Sequence, residues 1–137
     1  MIVLDASAAI DWLLQTSAGQ QIERRIYSRN EPLAAPHLLD LEVTQVFRRM
    51  ARDAAIPARR AEEAIHDLMD LRIARYPHHL FLQRIWQLRH NLSAYDAMYV
   101  GLAESLRATL ITRDQRLGSA HGPVSYTHLT LPTNREV

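Results

Sequence analysis

The chain predicts an α/β fold, a small parallel sheet of four to five strands sandwiched between helices. Three observations predict it. Two short runs, Met1–Asp5 and Thr109–Thr112, have the continuous apolar character of strands buried on both faces. Between them, apolar residues recur at helical spacing behind Ser and Pro start signals. Strand and helix patterns alternate, as parallel strands joined by helical crossovers require.

Taken in order, Met1 to Asp5 is the first strand, and Ser7 is the expected N-cap of a helix to Leu14. A second helix runs from Ser17 to Ser28, and Glu31-Pro32 stops it. Leu33-Ala34-Ala35 is a weak strand. Pro36 precedes a long helix, His37 to Arg52, with Leu39, Val43, Val46 and Met50 as its apolar stripe. Pro57 opens a helix to Leu71, and Arg72 to Tyr76 is a strand closed by Pro77. Helices at His79–Arg89 and Ala94–Arg107 lead into the strand at Thr109–Thr112. Residues 1–123 therefore form one domain. Residues 124–137 lack a helical period and carry Pro132. They read as a non-native or disordered tail resembling translated vector sequence, a native β-rich end being the alternative.

At 137 residues, the chain is long enough for a real core, and 47% hydrophobic with 23% charged residues is ordinary for a soluble globular domain. No apolar run is long enough to span a membrane, and no basic region precedes the first apolar run, so neither a membrane span nor a secretory leader is expected. There is no cysteine, which excludes disulfides and thiolate metal sites and fits a cytoplasmic protein. All 16 basic residues are arginine. A GC-rich coding bias is the plainer account, but the absence of lysine still excludes P-loop nucleotide binding and Schiff-base chemistry.

Four carboxylates stand out: Asp5, Glu42, Asp96 and Asp114. Asp5 and Asp114 follow the two apolar strands, at the carboxyl ends where α/β folds place their functional crevice. Glu42 borders the apolar stripe of a helix, and Asp96 opens another. Each has a bland reading. Asp5 caps a helix, Glu42 pairs with Arg49, Asp96 completes the capping pattern Ser93-Ala94-Tyr95-Asp96, and Asp114 belongs to a turn. Converging in one cleft, the four would instead make a divalent-cation site, since unpaired buried carboxylates are costly. Oxygen-only ligation suits Mg²⁺ or Mn²⁺. The remaining acids look solvated, with Asp11 and Asp40 intermediate. The seven histidines show no H-E-x-x-H spacing, and no serine sits in a G-x-S-x-G elbow.

Four segments carry a resemblance: Val3-Leu4-Asp5-Ala6-Ser7, Leu39-Asp40-Leu41-Glu42-Val43, Tyr95-Asp96-Ala97-Met98-Tyr99 and Leu110-Ile111-Thr112-Arg113-Asp114. In order and spacing they resemble the acidic motifs of PIN-domain ribonucleases, and most closely those of the VapC-type toxins, over residues 1 to 123. The resemblance implies an α/β/α sandwich and an Mg²⁺- or Mn²⁺-dependent endoribonuclease that leaves 5′-phosphate and 3′-hydroxyl ends. It implies a homodimer held by a cognate VapB-type antitoxin, whose C-terminal segment would present a cation to the cleft. By motif position, Asp5, Glu42, Asp96 and Asp114 would be the catalytic, metal-binding acids, with Ser7 and Thr112 as hydroxyls that orient ligands or water. Arg48, Arg49, Arg113 and Arg116 are candidates for contacting the RNA backbone. The departure is the end of the chain, where the foreign-looking tail replaces the family's last apolar strand.

Other strand-end aspartate families fit less well. A haloacid-dehalogenase-like phosphatase needs an acid where this chain has Ser7, and both it and a receiver domain need a lysine. A catalytically silent PIN-like module binding RNA or protein is the non-enzymatic alternative. Four crowded carboxylates that repel phosphate argue against it.

Overall fold

The computed structural model describes residues 1–114 and Leu117 in full and residues 126–128 by their backbone. The elements are β1 (Ile2–Leu4), α1 (Ala6–Leu14), α2 (Ser17–Arg29), β2 (Leu33–Pro36), α3 (Leu38–Arg52), α4 (Ala58–Asp70), β3 (Ile73–Tyr76), a 3₁₀ turn (His79–Phe81), α5 (Leu82–Gln87), α6 (Ala94–Leu106), β4 (Thr109–Thr112) and β5 (Tyr126–His128). The sheet order is β3-β2-β1-β4-β5, and every pairing is parallel.

β1 is central. Its three residues are fully buried, as a strand covered on both faces must be. The chain builds outward from β1 through β2 to β3, then returns to place β4 on the other side of β1. The strand order therefore reverses between β1 and β4, and the crevice above their carboxyl ends is the topological switch point of the sheet. By the right-handed rule for parallel crossovers, α1 to α4 fall on one face and α5 and α6 on the other. The contacts divide the same way: α1 packs with α2, α3 and α4, whereas α6 packs with α5 and lies against β1, β2 and β4.

α6 is buried on nearly all sides, Ala97 through Ala103 without interruption, so it belongs to the core. The tight α1–α2 turn depends on Gly19. A Cβ there would stand 1.8 Å from the Asp11 carbonyl oxygen, so only glycine lets α2 start this close to the end of α1.

Three expectations change. The buried stripe of α3 is Leu39, Val43 and Phe47, not one running through Val46, because the helix turns its i, i+4, i+8 row toward the core. The segment after Pro77 is a 3₁₀ turn followed by the short α5, not one helix over His79–Arg89. Tyr126–His128 pair with Leu110–Thr112 of β4, so this part of the supposed tail joins the sheet as a parallel strand, as the two β-favouring residues Tyr126 and Thr127 permit. The rest of 124–137 lies outside the described residues. Among the described residues, no helix is long and apolar enough to cross a membrane.

Candidate functional site

Among the described residues, Asp5 and Thr112 are buried polar side chains, and they are bonded to each other. β1 ends at Leu4, so Asp5 is placed at the rim of the switch point, in extended backbone, as the N-cap of α1. Its Oδ1 accepts the Ala8 N–H at 3.0 Å and the Ser7 hydroxyl at 2.7 Å. Its Oδ2 accepts the Thr112 hydroxyl. Asp5 rather than Ser7 is thus the helix cap, because its carboxylate reaches the third residue ahead while Ser7 turns back toward it.

The two hydroxyls do a second job. Ser7 Oγ accepts the Arg113 N–H at 2.9 Å, and Thr112 Oγ1 accepts the Asp114 N–H at 2.9 Å. Each hydroxyl therefore donates to Asp5 and accepts from the chain leaving β4. Asp114 is held beside the Asp5 site through its own backbone. The Arg113 guanidinium turns away to Asp11, Nε to Oδ2 at 2.9 Å. Arg113 is thus an internal tie between α1 and the end of β4.

Glu42 projects from α3, half-buried, and its Oε1 accepts the Tyr99 hydroxyl of α6 at 2.6 Å. That bond stands where the alternative reading placed a pairing with Arg49, which is exposed, as is Arg48. Asp96 occupies the first turn of α6. Its N–H is capped by Ser93 Oγ at 3.1 Å, which makes Ser93 the N-cap of the helix. Arg116 lies outside the described residues.

The charges speak to one another. Burial pushes the Asp5 carboxyl up to about 6 against the pull of its Thr112, Ala8 and Ser7 donors, and the Asp96 charge pushes it further. Burial likewise raises Glu42, the Tyr99 bond lowers it, and Asp96 raises it again. The Tyr99 phenol is pushed far above its ordinary range by burial first, then by its bond to Glu42 and the charges of Glu42, Asp5 and Asp96. Asp5, Glu42 and Asp96 thus share one field.

They do not form a closed cage. Among the described residues, no group of three or more His, Asp or Glu side chains is drawn together as a ready ligand set. The chemistry of the donors still fits a hard divalent cation: all are oxygens, and the partners of Asp5 and Glu42 among the described residues are hydroxyls and one amide, never a cation. Tyr99 is the residue that sequence reasoning passed over. Its one available signal was a tyrosine in the middle of an apolar helix, three residues after Asp96, where a phenol needs a buried acceptor.

A parallel sheet with carboxylates over its switch point defines a class, and the comparisons name it. The PIN domain family model matches residues 2–122. Ribonuclease VapC9 of Mycobacterium tuberculosis is 41% identical over 128 residues, 91% of this chain and 97% of that protein. Ribonuclease VapC12 of the same organism is 39% identical, covering 89% and 93%. Ribonuclease VapC1 is 40% identical, covering 88% and 90%. The chain belongs to the PIN-domain family, in its VapC ribonuclease branch. Among solved structures, PAE2754 from Pyrobaculum aerophilum shares the fold with a TM-score of 0.69 at 23% identity, covering 91% of this chain and 82% of that one. VapC20 of M. tuberculosis, a sarcin–ricin-loop-cleaving toxin, does so with a TM-score of 0.64 at 15% identity, covering 88% and 95%.

Proposed function

We propose that the chain is the toxin of a toxin–antitoxin pair, a divalent-metal-dependent endoribonuclease. One observation carries the reading. A buried carboxylate at the switch point, Asp5, is met by hydroxyls and an amide among the described residues while the Asp96 charge pushes on it. A protein keeps such an acid where a cation will bind.

Asp5, Glu42, Asp96 and Asp114 are the proposed ligands and catalytic acids, for Mg²⁺ or Mn²⁺. When bound, the ion supplies positive charge for the phosphodiester and acidity for an attacking water. Ser7 and Thr112 fix both oxygens of Asp5, so its carboxylate does not reorganise when charge develops. The same hydroxyls hold Asp114 in register through the backbone leaving β4. Arg48 and Arg49, exposed along α3 beyond Glu42, position the RNA backbone. A cognate VapB-type antitoxin, a homodimeric assembly and a cytoplasmic setting complete the proposal.

The test is cleavage of an RNA mixture by purified protein in Mn²⁺, Mg²⁺ and EDTA. Cleavage that requires the ion and leaves 5′-phosphates supports the reading. Full cleavage in EDTA overturns the metal dependence, and metal-bound protein without cleavage returns the silent binding module.

A further inference from the structure

We propose that Tyr99 is a positioning residue of the acidic site, its hydroxyl holding Glu42 by Oε1 so that Oε2 faces the cation. The inference rests on the reading of the cleft as a divalent-cation site.

Glutamate is a poor ligand when left to itself. It ends a flexible side chain, and ordering that chain costs conformational entropy. Glu42 stands at a half-buried position on α3, where packing alone does not fix it. Tyr99 is the opposite kind of side chain. Its ring is 1% exposed, locked in the most deeply buried stretch of α6. A 2.6 Å bond from that ring, across 57 residues of sequence, transfers the rigidity of the core to the glutamate.

The placement on α6 adds to this. Asp96 and Tyr99 are three residues apart and so share a face of the helix. One turn of α6 therefore sets two acids, Asp96 by its own side chain and Glu42 through the hydroxyl. A phenol donates a single proton, so it occupies Oε1 and leaves Oε2 for another partner.

The rival account is that Glu42 merely satisfies a buried hydroxyl. A neutral glutamine oxygen would serve that purpose equally, so the two accounts part in a double-mutant cycle. Mn²⁺ binding is measured on RNA-free protein by calorimetry for wild type, Tyr99→Phe, Glu42→Gln and the double variant, with thermal melts of each. Tyr99→Phe is expected to bind Mn²⁺ about 10-fold or more weakly, the usual range for a group that orients a ligand. On the Glu42→Gln background the same change is expected to add little. Unchanged Mn²⁺ affinity in Tyr99→Phe, or an equal loss with and without Glu42, overturns the proposal.

A second measurement does not depend on the variant folding. The ¹³Cζ resonance of Tyr99 in labelled wild-type protein is expected to shift as Mg²⁺ is added, because the ion draws electron density from the acceptor of its hydroxyl. A resonance that stays fixed while the protein binds Mg²⁺ overturns the proposal. Wild-type protein that binds neither ion removes the cation reading itself, whereas wild-type binding with an unaffected Tyr99→Phe removes the role of Tyr99 alone.

Discussion

Helices α3 and α6 each carry acids of two kinds, and comparing them separates structure from chemistry. On α3, Asp40 takes a two-pronged arginine bond, Arg75 Nε to Oδ2 at 2.8 Å and Nη2 to Oδ1 at 2.9 Å. Two residues on, Glu42 meets a phenol instead. On α6, Glu104 takes the same kind of fork from Arg84, at 2.7 and 2.8 Å. Asp96, two turns earlier, raises the carboxyls of Asp5 and Glu42 by its charge. The chain does not lack arginine. It places arginine against the acids that join element to element, while Asp5 and Glu42 are met by neutral donors among the described residues. Pairing lowers the electrostatic cost of an acid, so leaving that cost standing at one end of the sheet marks where outside positive charge belongs.

The largest effect expected is on catalysis at the switch-point end of the sheet. Asp5→Asn and Asp96→Asn should each lower RNA cleavage by about 10²-fold or more, several kcal/mol of lost transition-state stabilisation. Metal-free stability should not fall with activity. Asn keeps an acceptor for the Ala8 N–H, and relief of a buried charge's desolvation offsets the acceptor lost by the Thr112 hydroxyl. Melting curves beside cleavage rates check this. A variant that loses stability in proportion to activity would move Asp5 into the structural class.

The next effect follows from the sign of the Asp5 shift. Its carboxyl sits at about 6 folded against an ordinary 3.8, so between these values the folded state holds more protons than the unfolded one. The contribution to stability is full below the lower value and is lost as pH rises through the upper one, amounting to about 3 kcal/mol across the window. The difference in unfolding free energy between wild type and Asp5→Asn, measured without metal from pH 3 to 8, isolates this group. Asp5→Asn should gain on wild type as pH rises, and a flat difference would break the claim. With Mn²⁺ present the gain should shrink, because the ion stabilises the charged form.

How much of this was legible in the sequence differs between the two regions for a physical reason. The strands around Asp5 and Thr112 were readable because burial on both faces leaves a continuous apolar run, and an aspartate ending that run is conspicuous. β2 was weaker, since Ala34 and Ala35 have little strand preference and are held by packing of helices and neighbours. The partners were not readable. Whether Glu42 meets Arg49, on its own helix, or Tyr99, across the domain, depends on tertiary placement that spacing along α3 cannot express. Arg113 was a candidate by its place in the sequence alone, and its bond to Asp11, 102 residues away, could not be read from that. Tyr126–His128 supply little pattern in three residues, and their strand exists through pairing with β4.

Asp11 sharpens the comparison because it belongs to the paired class yet borders the site. Its carboxylate and the Arg113 guanidinium are mostly shielded from water, at 23% and 17% exposure. Asp11→Asn weakens a charge-assisted bond worth about 2 kcal/mol. Arg113 would then loosen the segment that carries Asp114, and cleavage should drop about tenfold, as for other supports of a metal ligand. Stability and activity should therefore fall together here, unlike at Asp5, and rising Mn²⁺ should restore part of the rate. Loss of stability with full activity would show that the end of β4 is held well enough by the Ser7 and Thr112 bridges alone.

The smallest effect is expected at Asp40, and it tests the division most directly because Glu42 lies two residues away on the same helix. Asp40 and Arg75 are 41% and 26% exposed, so water screens their attraction even though the geometry is two-pronged. Asp40→Asn should cost about 1 kcal/mol or less, read as a small drop in denaturation midpoint with an unchanged slope. Cleavage and Mn²⁺ affinity should stay at wild-type levels, since positions 40 and 42 point to different sides of α3. The bond from Asp40 instead anchors α3 to β3, a neighbour of β2 and not of the switch point. Raising the salt concentration should shrink even this small difference, as it does for exposed pairs. If Asp40→Asn instead abolished cleavage while leaving the melt unchanged, Asp40 would belong with Glu42. The line between arginine-paired acids that hold the fold and the acids proposed to hold the cation would then have to be redrawn along α3.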